Sequence, residues 1–343
     1  MEKTRLGRTD LWVSRTGFGA LPIQRVDFET AKTILRQAVA GGITFFDTAR
    51  GYSDSEEKLG YALADVRDDI VIATKSSGAS DRASLMERLE ISLRNLRTDH
   101  VDVLQLHNPA VLPDPDDPDS LYAGLLEAKA KGMTRFVGVT NHKLDNALAA
   151  ARSGLYDTVQ FPLSAISADR DLELVDVCRE EGIGLIAMKA LSGGLLTNAR
   201  LAFAGLRRYG NVVPIWGIQR ESELAEFLAL EANPPVLDDA LRAEIEQEKA
   251  ELSGDFCRGC GYCLPCPAEI PIPTAARMSF LLRRSPSAGF LTPEWQEKMH
   301  RIDNCIECGH CRDHCPYELD TPALLKRMLK DYDAFVEGAR ASG

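Results

Sequence analysis

Between about residues 16 and 232, short apolar runs alternate with longer stretches in which apolar positions recur at helical spacing. The runs occupy 16–20, 43–47, 70–75, 101–107, 135–140, 158–163, 184–188 and 212–218. The helical patterns occupy 28–40, 56–66, 83–96, 121–131, 144–152, 172–180, 199–209 and 221–230. Runs that are apolar on both faces suit strands covered on both sides. Eight strand-then-helix units therefore predict an α/β fold, a (β/α)8 TIM barrel, with an open doubly wound sheet as the alternative. Ahead of the first unit, Thr4-Arg5-Leu6 and Leu11-Trp12-Val13 flank Gly7-Arg8-Thr9-Asp10, a hairpin pattern suited to closing the bottom of a barrel. After Asn233-Pro234-Pro235 a charged helical pattern leads into a cysteine-rich segment. The predicted division is a barrel over 1–235, a linker helix over 236–254 and a second domain over 255–343.

Composition narrows the function classes. The chain has 343 residues, 45% hydrophobic and 27% charged, enough to bury a large core. Its formal net charge of −11 repels phosphate backbones, so nucleic acid is not an expected partner. No apolar run reaches the ~18 residues of a membrane span, and the first residues lack the apolar centre of a signal peptide. A cytoplasmic protein with no membrane partner is expected. The acidic, proline-rich stretch 113–119 reads as a solvated loop.

A barrel places chemistry where its strands end, so the polar residues closing the apolar runs carry weight. The second run stops at Phe46-Asp47 and continues through Thr48-Ala49-Arg50-Gly51-Tyr52; the third stops at Thr74-Lys75; the fourth at Leu106-His107. Each residue alone has an ordinary role: Asp47 a helix cap, Tyr52 a rim aromatic, Lys75 a carboxylate partner, His107 a strand-end imidazole. Together they form a proton-delivery unit. A buried ammonium beside a phenol favours the phenolate and lowers its pKa, a carboxylate keeps the ammonium charged, and a neutral imidazole orients a carbonyl oxygen.

These stretches, with Ser53, Ser55-Glu56, Asn108 and Gly138-Val139-Thr140-Asn141, resemble the aldo-keto reductases over about residues 4–232. The resemblance implies that Tyr52 is the general acid, that Asp47 and Lys75 tune it, that His107 positions a small carbonyl or alcohol substrate, and that NADPH or NADH supplies hydride. It further implies that Asn141 and Gln160 hold the nicotinamide carboxamide. Ser192-Gly193-Gly194-Leu195-Leu196 and the helix beginning after Gly217 would then lie along the pyrophosphate, a load suited to a helix N-terminus. Where the family usually stacks an aromatic residue on the nicotinamide, this chain has Met188; where many members place an arginine for the 2′-phosphate, it has Gln219 followed by Arg220. The connection from Leu196 to Val212 is short.

Eight of the nine cysteines form two runs, Cys257-x2-Cys260-x2-Cys263-x2-Cys266-Pro267 and Cys305-x2-Cys308-x2-Cys311-x3-Cys315-Pro316. Steps of three residues followed by Cys-Pro are the spacing of two-cluster ferredoxins, in which the last cysteine of each run reaches the other cluster. Structural zinc, the alternative, uses separated pairs. The spacing predicts two [4Fe–4S] clusters: one on Cys257, Cys260, Cys263 and Cys315, the other on Cys305, Cys308, Cys311 and Cys266. The x2 step before Cys266 departs from the pattern. The spacer between the runs, with a helical pattern over 274–284, predicts a small, mainly helical C-terminal iron–sulfur domain. Cys178 lies on a helical stretch with Leu174 and Val175 and reads as core. Barrel and tail together resemble a ferredoxin-tailed subgroup of the aldo-keto reductases.

Three readings follow. In the first, the barrel reduces a carbonyl or oxidises an alcohol with NAD(P)H, and the clusters serve electron transfer, regulation or structure. In the second, the enzyme works without nicotinamide, and a ferredoxin or flavodoxin partner feeds single electrons through the clusters. In the third, the chain is a non-enzymatic iron–sulfur sensor or electron carrier.

Overall fold

The computed structural model describes residues 1–252, 256–284 and 287–341. The chain divides into two compact units: Met1–Ala190 with Asn198–Ile245, and Leu191–Thr197 with the chain from Glu246 onward. The expected boundary at 254/255 falls outside the described residues.

The first unit opens with an antiparallel pair, β1 (Lys3–Arg5) and β2 (Trp12–Ser14). Strands and helices then alternate: β3 (Gly17–Gly19), α1 (Phe28–Ala40), β4 (Phe45–Asp47), α2 (Ser55–Leu63), β5 (Val71–Lys75), α3 (Arg82–Leu96), β6 (Val101–His107) and α4 (Leu121–Ala130). The alternation continues through β7 (Thr134–Thr140), α5 (Leu144–Arg152), β8 (Thr158–Pro162), α6 (Asp169–Glu180), β9 (Gly184–Met188), α7 (Ala199–Arg207), β10 (Val212–Gly217) and α8 (Glu221–Ala232). β3 to β10 run parallel in sequence order, and β10 pairs back onto β3, which closes the barrel. That closure excludes the open sheet, and the eight strands coincide with the eight apolar runs to within two residues.

Local sequence accounts for the helices. Asp27 accepts the Thr30 N–H at 2.8 Å, Asp81 the Ser84 N–H at 2.8 Å and Ser120 the Ala123 N–H at 3.1 Å, each capping an otherwise unpaired donor. In α1 the buried positions Ala31, Ile34, Leu35 and Ala38 follow the i, i+3, i+4, i+7 stripe of a helix with one face on a core.

Alternation along the strands builds the barrel interior in layers. Phe45, Val71, Ala73, Val103, Ile186, Val213 and Ile215 pack together with Leu6, Leu11 and Val13 from the N-terminal hairpin. The hairpin is thus a stopper at the base. Its turn residue Gly7 has φ +58°, and a Cβ there would lie 2.2 Å from the Gly184 nitrogen; only glycine meets both conditions. Two residues further along the inward face, β4 reaches Asp47, β5 reaches Lys75, and β6 passes Gln105 to His107. The apolar layers end in a charged one.

In the second unit α9 (Asp239–Glu251) is followed by α10 (Ile272–Ala275), α11 (Met278–Arg284), α12 (Pro293–His300), α13 (His310–Asp313) and α14 (Thr321–Ala341). α9 straddles the division between the units, with residues to Ile245 in the first. The helix expected over 274–284 is two short helices, α10 and α11. The long α14 had no counterpart among the expected elements, yet Leu324, Leu325, Leu329, Tyr332 and Val336 on it fill the core of this unit with Ile270, Ile272, Met278 and Met299. Among the described residues, no helix is long and apolar enough to cross a membrane.

Candidate active site and cysteine cradles

Three neighbouring strands and one turn bring the four expected side chains to one end of the barrel. Asp47 closes β4, Lys75 closes β5 and His107 closes β6. Beyond β4 the chain stays against β5: Thr48 N–H donates to the Ala73 carbonyl at 2.9 Å and Arg50 N–H to the Lys75 carbonyl at 3.2 Å. A tight turn follows, with Tyr52 N–H on the Ala49 carbonyl at 3.0 Å and Ser55 N–H on the Tyr52 carbonyl at 2.8 Å, and it sets the phenol over the lysine. Lys75 Nζ donates to Asp47 Oδ1 at 2.5 Å and to the Thr48 carbonyl at 2.7 Å, is hydrogen-bonded to the Tyr52 side chain, and lies 5.0 Å from the Tyr52 ring centroid. The Tyr52 and His107 rings meet edge to face, centroids 6.0 Å apart.

The electrostatics follow from this packing. Burial works against the Lys75 charge, but Asp47 and Tyr52 outweigh it, and the ammonium is held above its ordinary pKa. Burial pushes the Tyr52 phenol up; Lys75 pulls it down and Asp47 adds to the rise, with a net upward shift. The sequence led to the opposite expectation, a lowered phenol. Burial overturns it, and the group stays protonated at neutral pH, the form a proton donor needs. Burial, helped by the Lys75 charge, lowers His107 to about 3, so its ring is neutral.

Several contributors escaped the sequence reading. Gln105 Nε2 donates to Asp47 Oδ2 at 3.1 Å, so both carboxylate oxygens are engaged. Its signal was available, since Gln105 shares a strand face with His107 at period two. Glu56, 1% exposed, accepts the Thr74 hydroxyl at 2.7 Å and pins α2, and with it the Tyr52 turn, to β5. Burial pushes its carboxyl up. Ser77 lies 2.5 Å from His107 Nδ1 in a loop with no periodicity to announce it.

The expected cofactor residues fall into three groups. Gln160 on β8 is buried, and its Oε1 has no hydrogen-bond partner, which fits an amide donor arriving from a ligand. Met188 ends β9 and is half-buried; Gly217 ends β10. Asn141 is occupied locally, donating to the Pro109 carbonyl at 2.9 Å and accepting the Lys143 N–H at 2.8 Å. At the start of α8 the Glu223 carboxylate accepts the N–H groups of Gln219 at 2.9 Å and Arg220 at 3.1 Å. That helix end therefore carries a carboxylate where an incoming phosphate would sit. Gly193, Gly194 and Leu195 belong to Leu191–Thr197, which groups with the second unit, and the Gly193 carbonyl accepts from Arg277 Nη1 at 2.6 Å.

The second unit contains two voids rimmed by sulfur. One is lined by Cys257, Cys260, Cys263, Cys311 and Cys315. The other is lined by Cys263, Cys266, Cys305, Cys308 and Cys311. No two of the nine cysteines are joined as a disulfide. Burial, with Cys257 and Cys260 beside it, pushes the Cys263 thiol up to about 12. A thiol held in this way ionises when a cation binds beside it. Voids with this donor set fit polynuclear iron–sulfur groups. Cys178 is buried in the core, and burial raises its thiol to about 12.

Comparison with known proteins agrees with both units. A sequence model described as the Aldo/keto reductase family matches residues 15–208, and one described as a 4Fe-4S dicluster domain matches 256–320. L-galactose dehydrogenase of Arabidopsis thaliana is 31% identical over 215 residues, covering 57% of this chain and 67% of that protein. NADH-specific methylglyoxal reductase of Escherichia coli (strain K12) is 28% identical over 226 residues, covering 57% and 69%. Aldo-keto reductase YhdN of Bacillus subtilis (strain 168) is 28% identical over 215 residues, covering 57% and 64%. The chain thus spans about two thirds of the length of these relatives. Among solved structures, an aldo-keto reductase from Bacillus halodurans in its holo form superposes with TM-score 0.61 at 23% identity, covering 72% of this chain and 96% of that one. A closed parallel barrel with this strand order, matched over most of its length by the family's sequence model, leaves one assignment: the chain belongs to the aldo/keto reductase family of oxidoreductases, with a 4Fe-4S dicluster domain following the barrel.

Proposed function

We propose that this chain is a carbonyl reductase, or in reverse an alcohol dehydrogenase, that uses NADH at the barrel mouth and carries two [4Fe–4S] clusters in its second unit. The reading rests on Lys75 Nζ, held between Asp47 Oδ1 and the Tyr52 side chain beneath a neutral His107. Bound nicotinamide supplies a hydride to the carbonyl carbon. Tyr52 Oη gives its proton to the carbonyl oxygen, the Lys75 ammonium stabilises the phenolate left behind, and Asp47 keeps that ammonium charged. His107, neutral, hydrogen-bonds the same oxygen without competing for the proton. Gln160 Oε1 would take a carboxamide N–H of the nicotinamide, and the Met188 thioether would offer it an apolar contact. The Glu223 carboxylate accepts the Gln219 and Arg220 N–H groups and pairs with the Arg220 guanidinium at 3.6 Å; it suits a ribose 2′-hydroxyl and engages the arginine that a 2′-phosphate would need, which favours NADH over NADPH. One relative of this chain is named as NADH-specific, in line with this choice. Cys257, Cys260, Cys263 and Cys315 would hold one cluster, and Cys305, Cys308, Cys311 and Cys266 the other.

The test is a fluorescence titration of the anaerobically purified protein with NADH and NADPH. Saturable micromolar binding of NADH with weaker binding of NADPH is expected, and Glu223→Gln narrows the gap. No saturable binding of either nucleotide sinks the reading.

One observation favours a second reading. Leu191–Thr197, which the family resemblance assigned to the pyrophosphate, groups with the cysteine unit. In this reading a ferredoxin or flavodoxin delivers two electrons singly through the clusters to the carbonyl, and two protons follow, the first from Tyr52. Carrier-dependent carbonyl reduction without nucleotide binding selects it.

A further inference from the structure

We infer that Ser77 is a positioning residue that fixes the tautomer of His107, so that the imidazole presents Nε2–H to a carbonyl oxygen. The inference deepens the reading of the barrel mouth given above and rests on it for its catalytic meaning, though not for its geometry.

One hydroxyl proton decides the tautomer. The Gly51 backbone N–H donates to Ser77 Oγ at 3.1 Å. Ser77 Oγ lies 2.5 Å from His107 Nδ1. A serine hydroxyl carries one proton and two lone pairs. Gly51 takes one lone pair, and among the described residues the Ser77 proton has no acceptor other than His107 Nδ1. The proton therefore points to Nδ1, which must be bare. A neutral imidazole with a bare Nδ1 carries its hydrogen on Nε2. The opposite tautomer would direct two N–H groups at the serine oxygen and leave the hydroxyl proton of this half-buried residue with solvent alone, losing its partner within the fold.

Neutrality of the ring is independently supported. Burial and the Lys75 ammonium both disfavour a charged His107, so protonation of both nitrogens does not dissolve the choice between tautomers. The consequence is a division of labour. Tyr52 transfers a proton to the oxygen, whereas His107 holds the oxygen with a hydrogen it keeps. A His107 with Nε2 bare would turn a lone pair toward the carbonyl oxygen and repel it.

The turn that carries Tyr52 also constrains Ser77. A Cβ on Gly51 would stand 2.9 Å from Ser77 Oγ and 3.0 Å from Ser77 Cβ. A side chain at 51 would displace the serine, so the Gly51 N–H and its missing side chain serve one purpose. Tyr52 and the His107 tautomer are set by adjacent residues of the same turn.

The experiment reads the tautomer directly. Full-length holoprotein labelled with ¹⁵N-histidine is examined by long-range ¹H–¹⁵N correlation, with His107 assigned by its loss in His107→Gln. The expected result is a hydrogen on Nε2 and none on Nδ1. A hydrogen on Nδ1 overturns the inference. In Ser77→Ala the two tautomers should mix, and methylglyoxal turnover should fall roughly 2- to 10-fold in kcat, the scale of one hydrogen bond, with KM for NADH unchanged. Gly51→Ala should give the same mixture through displacement of Ser77, and Ser77→Thr should restore the single tautomer. An undisturbed Nε2–H tautomer in Ser77→Ala also overturns the inference. Wild-type protein that turns over no carbonyl, yet shows the Nε2–H tautomer, defeats the functional reading and leaves the positioning role standing.

Discussion

The barrel mouth and the cysteine unit solve the same electrostatic problem in opposite ways. At the mouth, Lys75 is answered by Asp47, the Thr48 carbonyl and Tyr52, and Asp47 in turn by Gln105. The chain supplies every counter-charge, so the constellation stands assembled without a ligand. In the cysteine unit the sulfurs rim two voids, and burial with neighbouring thiols holds Cys263 up at about 12. Here the chain supplies a crowd of sulfur donors with Arg258 as the one arginine or lysine lining the two voids, and iron would bring most of the balancing charge. A site made of complementary side chains is a property of the fold; a site made of like donors is a property of fold plus metal.

Iron removal is the sharpest way to break this comparison. Anaerobic treatment with a chelator should abolish the visible absorption and strip hydrogen-exchange protection from α10 to α14, while protection in β4 to β6 stays as it was. A tail that keeps its protection without iron would show that its apolar core suffices. Next in size is Tyr52→Phe, which removes the transferable proton and leaves the ring. NADH-dependent reduction of a small carbonyl probe should fall by roughly 10²- to 10⁴-fold, with the iron and sulfide content unchanged; a loss of only a few-fold would remove Tyr52 from the acid role. The smallest effect concerns pH. His107 titrates at about 3 in the folded chain against an ordinary value of 6.5. Between those values the unfolded chain takes up a proton that the folded chain refuses. The contribution is whole above pH 6.5 and is lost as pH falls toward 3. The urea midpoint of the barrel transition should therefore drop less between pH 7.5 and pH 5 in His107→Gln than in the wild type. Equal drops would mean that the ring is already charged in the fold.

The eight strands and the strand-end positions of Asp47, Lys75 and His107 were legible because alternation and apolar runs are written locally, and closure of the barrel turns strand order into proximity. Gln105 was equally legible by period, two residues before His107. Ser77 and Glu223 were not, because their roles depend on which backbone groups a loop or helix end happens to present. The direction of the Tyr52 shift was misjudged for a related reason: the sequence names its charged neighbours but not how deeply the phenol is buried. α14 is written at helical spacing too, in Leu324, Leu325, Leu329, Tyr332 and Val336. Leu191–Thr197 groups with the second unit, where the Gly193 carbonyl accepts from Arg277, and nothing local signals it.

The stopper formed by Leu6, Leu11 and Val13, with Gly7 wedged against Gly184, makes the barrel a cup and not a pipe. Traffic to the charged layer passes over the rim in both directions. In the proposed reaction an arriving carbonyl and a departing alcohol would take turns at the same opening, so slow departure of one would delay the arrival of the next, whatever the speed of the chemistry below.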